Sequence, residues 1–302
     1  MNYTLGESLL DIIFTNLNDV AAKPGGSMLN TAVSLGRMNL PVMHISEIGS
    51  NMVADMILDF LEKNGVNTDY ITQYKGENTS VALAFLDQKK KPSYQFVNAY
   101  PGLRKLKLPP VFHAGDILLF GSLYSISTPI RKDIFTCIHE AKKAGSLVLY
   151  DPNIRHKHHL EEQQVVGAML ENLRLAHIIK ASDEDCANLF GNNSPEIYLE
   201  TLSQINAHAL IILTLGAAGA IARFKNMEVK MDAIQVEVVS TIGAGDAFNA
   251  GLISALQTLE INPGNLQEIN LHQLKTILEK GLQTAATVCC SIENYIPSTT
   301  GV

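Results

Sequence analysis

Apolar positions along the chain follow two alternating rhythms. Nearly continuous apolar runs at 42–48, 116–120, 147–150, 177–180 and 210–215 predict strands buried on both faces. Between them, stretches at 28–38, 52–64, 129–143, 161–173, 183–190 and 196–206 repeat apolar residues every three or four positions, which predicts helices. Ser182 and Ser194 stand ahead of acidic first turns, where N-caps belong. Such alternation requires crossovers, hence a mostly parallel sheet with helices on both faces. Two β-rich stretches, 79–86 and 93–97, interrupt the rhythm around a turn at 87–92 and predict a hairpin outside the main sheet. An extended segment at 9–14 could join it. A small β-sheet of that kind, built from about 9–22 and 77–100, would form a lid over a site within one domain spanning 1–302.

In doubly wound sheets ligands bind beyond the carboxyl ends of the strands. The loops that follow the predicted strands carry Gly, Asp, Asn or Arg, a polar rim on an apolar scaffold. The remaining bulk properties narrow the class. With 302 residues, 46% hydrophobic and 18% charged, the chain can bury a full core, and disorder or a disulfide scaffold is excluded. Net charge is −7 with no basic run, which argues against nucleic acid as partner. The longest apolar run, 209–222, is broken by Thr214, Gly216 and Gly219 and is too short to span a bilayer, and the acidic N-terminus is no signal peptide. Four cysteines without a Cys-x-x-Cys pair suit a reducing, cytoplasmic setting, and vicinal Cys289-Cys290 reads as core packing in an apolar helix.

The chemistry concentrates in Thr241-Ile242-Gly243-Ala244-Gly245-Asp246, placed after an apolar segment at 234–239 that predicts a strand and before a helix. Two glycines let backbone N–H groups approach a ligand, and the helix start adds positive potential. Phosphoryl transfer needs oriented donors for a loose, charge-spread transition state and only a modest base for the hydroxyl, a role open to Asp246. Read from its residues alone, the turn is either that anion site or a place where glycines relieve crowding and Asp246 complements the helix dipole. Upstream, Lys23-Pro24-Gly25-Gly26-Ser27-Met28-Leu29-Asn30 opens another helix with paired glycines.

Together, Gly25-Gly26 with Asn30 and Gly243-Ala244-Gly245-Asp246 resemble the two signature regions of the PfkB (ribokinase-like) carbohydrate kinases. The resemblance extends over nearly the whole chain: Gly6-Glu7-Ser8-Leu9-Leu10-Asp11, Asp151-Pro152-Asn153-Ile154-Arg155 (the fructokinase and ketodeoxygluconate kinase pattern), Lys180-Ala181-Ser182-Asp183-Glu184-Asp185 and Thr214-Leu215-Gly216-Ala217-Ala218-Gly219 occur in the family's order. It implies a three-layer αβα Rossmann-like (ribokinase-like), mostly parallel sheet with a small β-sheet lid, and a homodimer through that lid. It implies Asp246 as base, Gly243, Ala244 and Gly245 as anion hole, and Asp11, Gly25, Gly26, Asn30 and Arg155 as sugar ligands. ATP would lie on Lys180, Ser182, Thr214, Gly216, Gly219 and Gly245, with Asp185 meeting Mg²⁺ through water.

The chain departs from the family's pattern in several places, and Gly49-Ser50-Asn51 lacks the acidic pair commonly seen at its place. The acid of the Asn-x-x-Glu element is Asp185, one methylene shorter, with Ser182 at its start. Ser240 and Ile242 replace a carboxylate and a threonine, leaving carbonyls as ligands for a monovalent cation, which weighs against potassium activation. The lid segment around 94–98 lacks an arginine that would favour an acidic sugar. The resulting expectation is an ATP-dependent kinase for a hydroxymethyl group on a small sugar such as fructose. Another sugar, a ketodeoxy sugar acid or a nucleoside is the alternative within the class, and outside it stand a non-catalytic sugar or nucleotide sensor and a dinucleotide oxidoreductase. A P-loop is absent, and Phe248 replaces the third glycine of a dinucleotide fingerprint. Arg155-His156-Lys157-His158-His159 reads as solvated surface, since its cations would repel a metal ion.

Overall fold

The computed structural model describes residues 1–16, 18–86, 92–154 and 163–298. The chain runs β1 (Asn2–Leu5), β2 (Leu9–Asn16), β3 (Asp19–Gly25), α1 (Ser27–Arg37), β4 (Val42–Ile48), α2 (Met52–Lys63), β5 (Val66–Asn67), β6 (Ile71–Gln73), β7 (Val81–Leu86) and β8 (Pro92–Val97). It continues with β9 (Ile117–Gly121), α3 (Arg131–Lys143), β10 (Leu147–Asp151), α4 (Gln163–Leu175), β11 (Ile178–Ser182), α5 (Asp183–Phe190), α6 (Pro195–Ile205) and β12 (Leu210–Thr214). Antiparallel β13 (Ala220–Phe224) and β14 (Met227–Met231) precede α7 (Ala244–Thr258) and α8 (Leu271–Cys289).

The large sheet has the order β14-β13-β12-β11-β10-β9-β1-β4-β5, with β6 also on β4, and it is parallel from β12 to β5. Its apolar runs are buried on both faces because successive side chains alternate between two cores. Ile117, Leu119, Leu147 and Leu149 pack with α1, α2, α7 and α8, whereas Leu118, Phe120, Val148 and Tyr150 pack with α3, α5 and α6. The three layers of the expected αβα fold are thus present.

The second sheet has the order β3-β2-β7-β8 and shares no pairing with the first among the described residues. On one face Asp11, Ala82 and Ala84 are buried. On the other, Val20 and Phe85 are exposed, and Phe14 stacks on Phe85 with ring centroids 5.0 Å apart.

Three expectations need correction. Residues 234–239 form no strand: beyond β14 the chain leaves the sheet edge, and the N–H groups of Val239 and Ser240 donate to the Cys289 carbonyl at the end of α8. Without a ladder partner, this segment's apolar side chains face a cavity instead. Residues 19–25 are strand almost to the start of α1, and Pro24 is accommodated because β3 is the sheet's edge. Cys289 is only partly buried and Cys290 is exposed at the C-cap of α8, so the vicinal pair is no core element. The tip of the predicted hairpin and the 155–159 histidine loop lie outside the described residues.

Candidate active site

The carboxyl ends of the parallel strands face the start of α7, and the geometry there begins with Gly243. This residue is the N-cap of α7 with φ of 81°, left-handed backbone that favours glycine, and an added Cβ would stand 1.9 Å from the carbonyl oxygen of Asn294. The turn therefore needs glycine on two independent counts. The first helical turn leaves backbone N–H groups without intrahelical partners, though that of Ala244 bends back to the Thr241 carbonyl at 3.3 Å.

Asp246, in this first turn, is 4% exposed. Ser27 Oγ donates to its Oδ1 at 2.5 Å and Asn30 Nδ2 to its Oδ2 at 2.8 Å, while Thr31 Oγ1 donates to its backbone carbonyl at 3.0 Å. The first turn of α1 is thereby tied to the first turn of α7. Asn30 keeps its Oδ1 buried and without a donor among the described residues, an acceptor that a ligand hydroxyl would satisfy. Behind α1, a Cβ on Gly25 would lie 2.1 Å from Asp11 Oδ2, so the bare glycine makes room for that carboxylate. Gly26, the N-cap of α1 at φ 123°, packs on the Glu7 carbonyl. Asp11, Gly25, Gly26 and Asn30 thus gather on one side of Asp246, and Arg155 lies outside the described residues.

On the other side a cavity of about 680 Å³ is lined by Lys180, Ser182, Asp185, Thr214, Gly216, Gly219 and the whole 243–246 turn. Its far wall is apolar, formed by Ile234, Val236, Val238, Phe248, Leu282 and Ala285. Lys180 Nζ donates to Asp151 Oδ2 at 2.9 Å. Burial pulls the Lys180 ammonium down, but Asp151, Asp185 and Asp246 outweigh it, and its pKa is raised.

Asp185 closes a capping box on α5: its Oδ2 accepts from Ser182 N and Oγ, both at 2.7 Å, and Ser182 Oγ accepts from its N–H at 3.0 Å. Its Oδ1 accepts from Ile154 N at 2.5 Å. Burial first, and the Asp151 charge second, push its carboxyl above the usual carboxylate range. This acid is therefore already engaged with the protein through both oxygens, while Asp183 and Glu184, exposed at the same end of the cavity, carry the freer carboxylates.

Several site residues escaped the sequence reading. Ser27 sits within a quoted motif, but its partner Asp246 is 219 residues away. Asn249, whose Nδ2 donates to Asp151 Oδ2 at 2.7 Å, follows Asp246 by three residues, a spacing that puts both on one helix face. Away from the cavity, Glu47 near the end of β4 pairs with Arg104, whose guanidinium also stacks on Tyr100 at 3.9 Å, and no local pattern links these three.

Comparison with known proteins assigns the chain to a family. Residues 2–300 match the model of the pfkB family carbohydrate kinases. The chain is 29% identical over 270 residues to a fructokinase of Klebsiella pneumoniae, covering 87% of this chain and 86% of that protein. It is 25% identical over 256 residues to a fructokinase of Vibrio alginolyticus, covering 84% and 83%. In fold it is similar to a fructokinase from Vibrio cholerae O395 solved with fructose, ADP and calcium (TM-score 0.84, 22% identity, 97% and 94% coverage). An aminoimidazole riboside kinase from Salmonella enterica, solved with aminoimidazole riboside and an ATP analogue, is equally similar in fold (TM-score 0.84, 21% identity, 97% and 95% coverage). A family match across almost the full length, on a chain whose glycine turn and buried aspartate meet at one cavity, makes this protein a member of the pfkB family of carbohydrate kinases, phosphotransferases that act on sugars.

Proposed function

We propose that this sugar kinase transfers the terminal phosphoryl group of ATP to a hydroxymethyl group of a small sugar, with fructose the favoured substrate. The observation that carries the reading is Asp246, a buried carboxylate at a helix start that lines the large cavity while Ser27 and Asn30 fix both its oxygens. The fructokinase names among the relatives favour fructose.

The donor set fits a nucleoside triphosphate: an apolar wall for a base, Thr214 and the Gly216–Gly219 turn along the cavity, and the Lys180 ammonium beside the 243–245 amides. When bound, ATP supplies the electrophilic phosphorus. Asp246 orients the sugar hydroxyl and takes its proton as the new O–P bond forms and the bond to the β-phosphate bridging oxygen breaks. The amides at the start of α7 and the Lys180 ammonium meet charge on the migrating group. Asp11 and Asn30 Oδ1 accept from further sugar hydroxyls. Mg²⁺ would be held by the triphosphate, with Asp183, Glu184 and Asp185 receiving its waters.

We place the enzyme in the cytoplasm, where its nucleotide is; among the described residues no helix is long and apolar enough to cross a membrane. The second sheet acts as lid over the sugar, within a single domain, and its exposed outer face with Val20 and Phe85 pairs two copies into a homodimer. The test is a coupled assay with ATP over a panel of sugars, nucleosides and sugar acids. Turnover with fructose is expected, and Asp246→Asn should lower it about a hundredfold or more. A variant working at the wild-type rate overturns the assignment.

A further inference from the structure

We propose that Asp151 and Asn249 are positioning residues for the transfer step: they hold the Lys180 ammonium against the 243–245 turn. The inference rests on the reading of that turn as the transfer site.

Asp151 ends β10, and Lys180 stands beside it in the middle of β11. The Asp151 Oδ2 oxygen accepts from both Lys180 Nζ and Asn249 Nδ2, at 2.9 and 2.7 Å. Asp151 and Asn249 are completely buried and neither lines the cavity, whereas Lys180 does. A Cβ on Gly245 would lie 3.2 Å from Lys180 Nζ, so the ammonium abuts the amide turn in space that the glycine leaves open. An ammonium has three protons to donate, and Asp151 takes one of them.

Structural economy does not account for this brace. Asp151 Oδ1 and Asn249 Oδ1 are buried and have no donor among the described residues. Each such unpaired group destabilises the fold, and a well-packed apolar pair serves stability as well as a buried ion pair. What the carboxylate adds is a fixed anchor for a long, rotamer-rich side chain, aimed at one point. Because Asn249 lies one helical turn beyond Asp246, α7 carries both the base and the brace, and its rigidity sets the distance between proton acceptor and cation.

The experiment is a double-mutant cycle on the full-length enzyme with Asp151→Asn, Lys180→Met and the pair, measuring kcat and sugar KM. Each single change should lower kcat about ten- to hundredfold with sugar KM within about threefold, the cost of misplacing a group by an ångström. The double variant should be no slower than Lys180→Met alone, because Asp151 acts through Lys180. Multiplying losses, or a wild-type kcat in Asp151→Asn, overturns the proposal. Should Asp151→Asn fail to fold, Asn249→Ser in the same cycle decides it: the ion pair stays, and a kcat drop of about three- to tenfold that vanishes in the Lys180→Met background is expected. An unchanged kcat there also overturns it. Asp246→Asn run in parallel separates the two readings. If that variant is active, the transfer-site assignment falls; if it is dead beside a fully active Asp151→Asn, only the brace falls.

Discussion

Gly25 and Gly243 are both glycines that a methyl group would crowd, yet what each would displace differs in kind. At Gly243 the obstacle is the Asn294 backbone, which has nowhere to go. At Gly25 it is the tip of the Asp11 side chain, which can rotate away. Gly25→Ala should therefore fold with a Tm within a few degrees of wild type while sugar KM rises about tenfold or more, since a swung Asp11 loses a charge-assisted hydrogen bond of roughly 1.5–3 kcal/mol. Steady-state kinetics beside a thermal melt checks this, and an unchanged KM would remove Asp11 from the sugar site. At this scale, legibility depended on separation along the chain. The 243–246 turn is local, so its spacing announced it. The bond between Ser27 and Asp246 spans 219 residues and that between Glu47 and Arg104 spans 57, and no periodicity carries information about such partners.

Among the elements, the strands β4, β9, β10, β11 and β12 and the helices between them were readable because burial on one or two faces writes a period into the sequence. The segment at 234–239 was misread for the same reason: an apolar run predicts a paired strand, whereas here Ile234, Val236 and Val238 line an open cavity and Ile234, Val238 and Val239 stay exposed. The second sheet was visible as an interruption, but β3 was hidden by Pro24 and the two glycines that follow. The outer face of that sheet leads to a prediction. Phe85 is 45% exposed and stacks on Phe14. On the proposed homodimer, Phe85→Ser should lower the mass found by size-exclusion chromatography with light scattering from that of two copies to that of one, while Tm falls by no more than the loss of a half-exposed ring. A mass equal to that of the wild type would overturn the pairing proposed for this face.

For the molecule as a whole, acid is the telling stress. His44 is completely buried, its ring nitrogens bonded to Thr4 Oγ1 at 2.8 Å and Ser8 Oγ at 3.1 Å, and burial lowers its pKa to about 4. His177 is also pushed down to about 4, by burial and then by Lys142. Both stay neutral in the fold while the unfolded chain takes up protons near pH 6.5. Stability is therefore full above about pH 6.5 and declines as pH falls towards 4, by on the order of 3 kcal/mol for His44 alone. Urea midpoints at pH 7.5 and 4.5 should show the decline, and His44→Gln, though less stable at neutral pH, should flatten it. An equal slope in that variant would place the acid sensitivity in other groups.

The unpaired run beyond β14 has a bearing on inheritance. Residues 233–238 make no backbone–backbone hydrogen bond among the described residues, and five of them line the cavity. In the proposed nucleotide site, a base seated against this run would meet peptide groups, which no codon change can alter short of proline or a deletion. Substitution at 234, 236 or 238 would then change how tightly the base is held and leave its choice to the backbone.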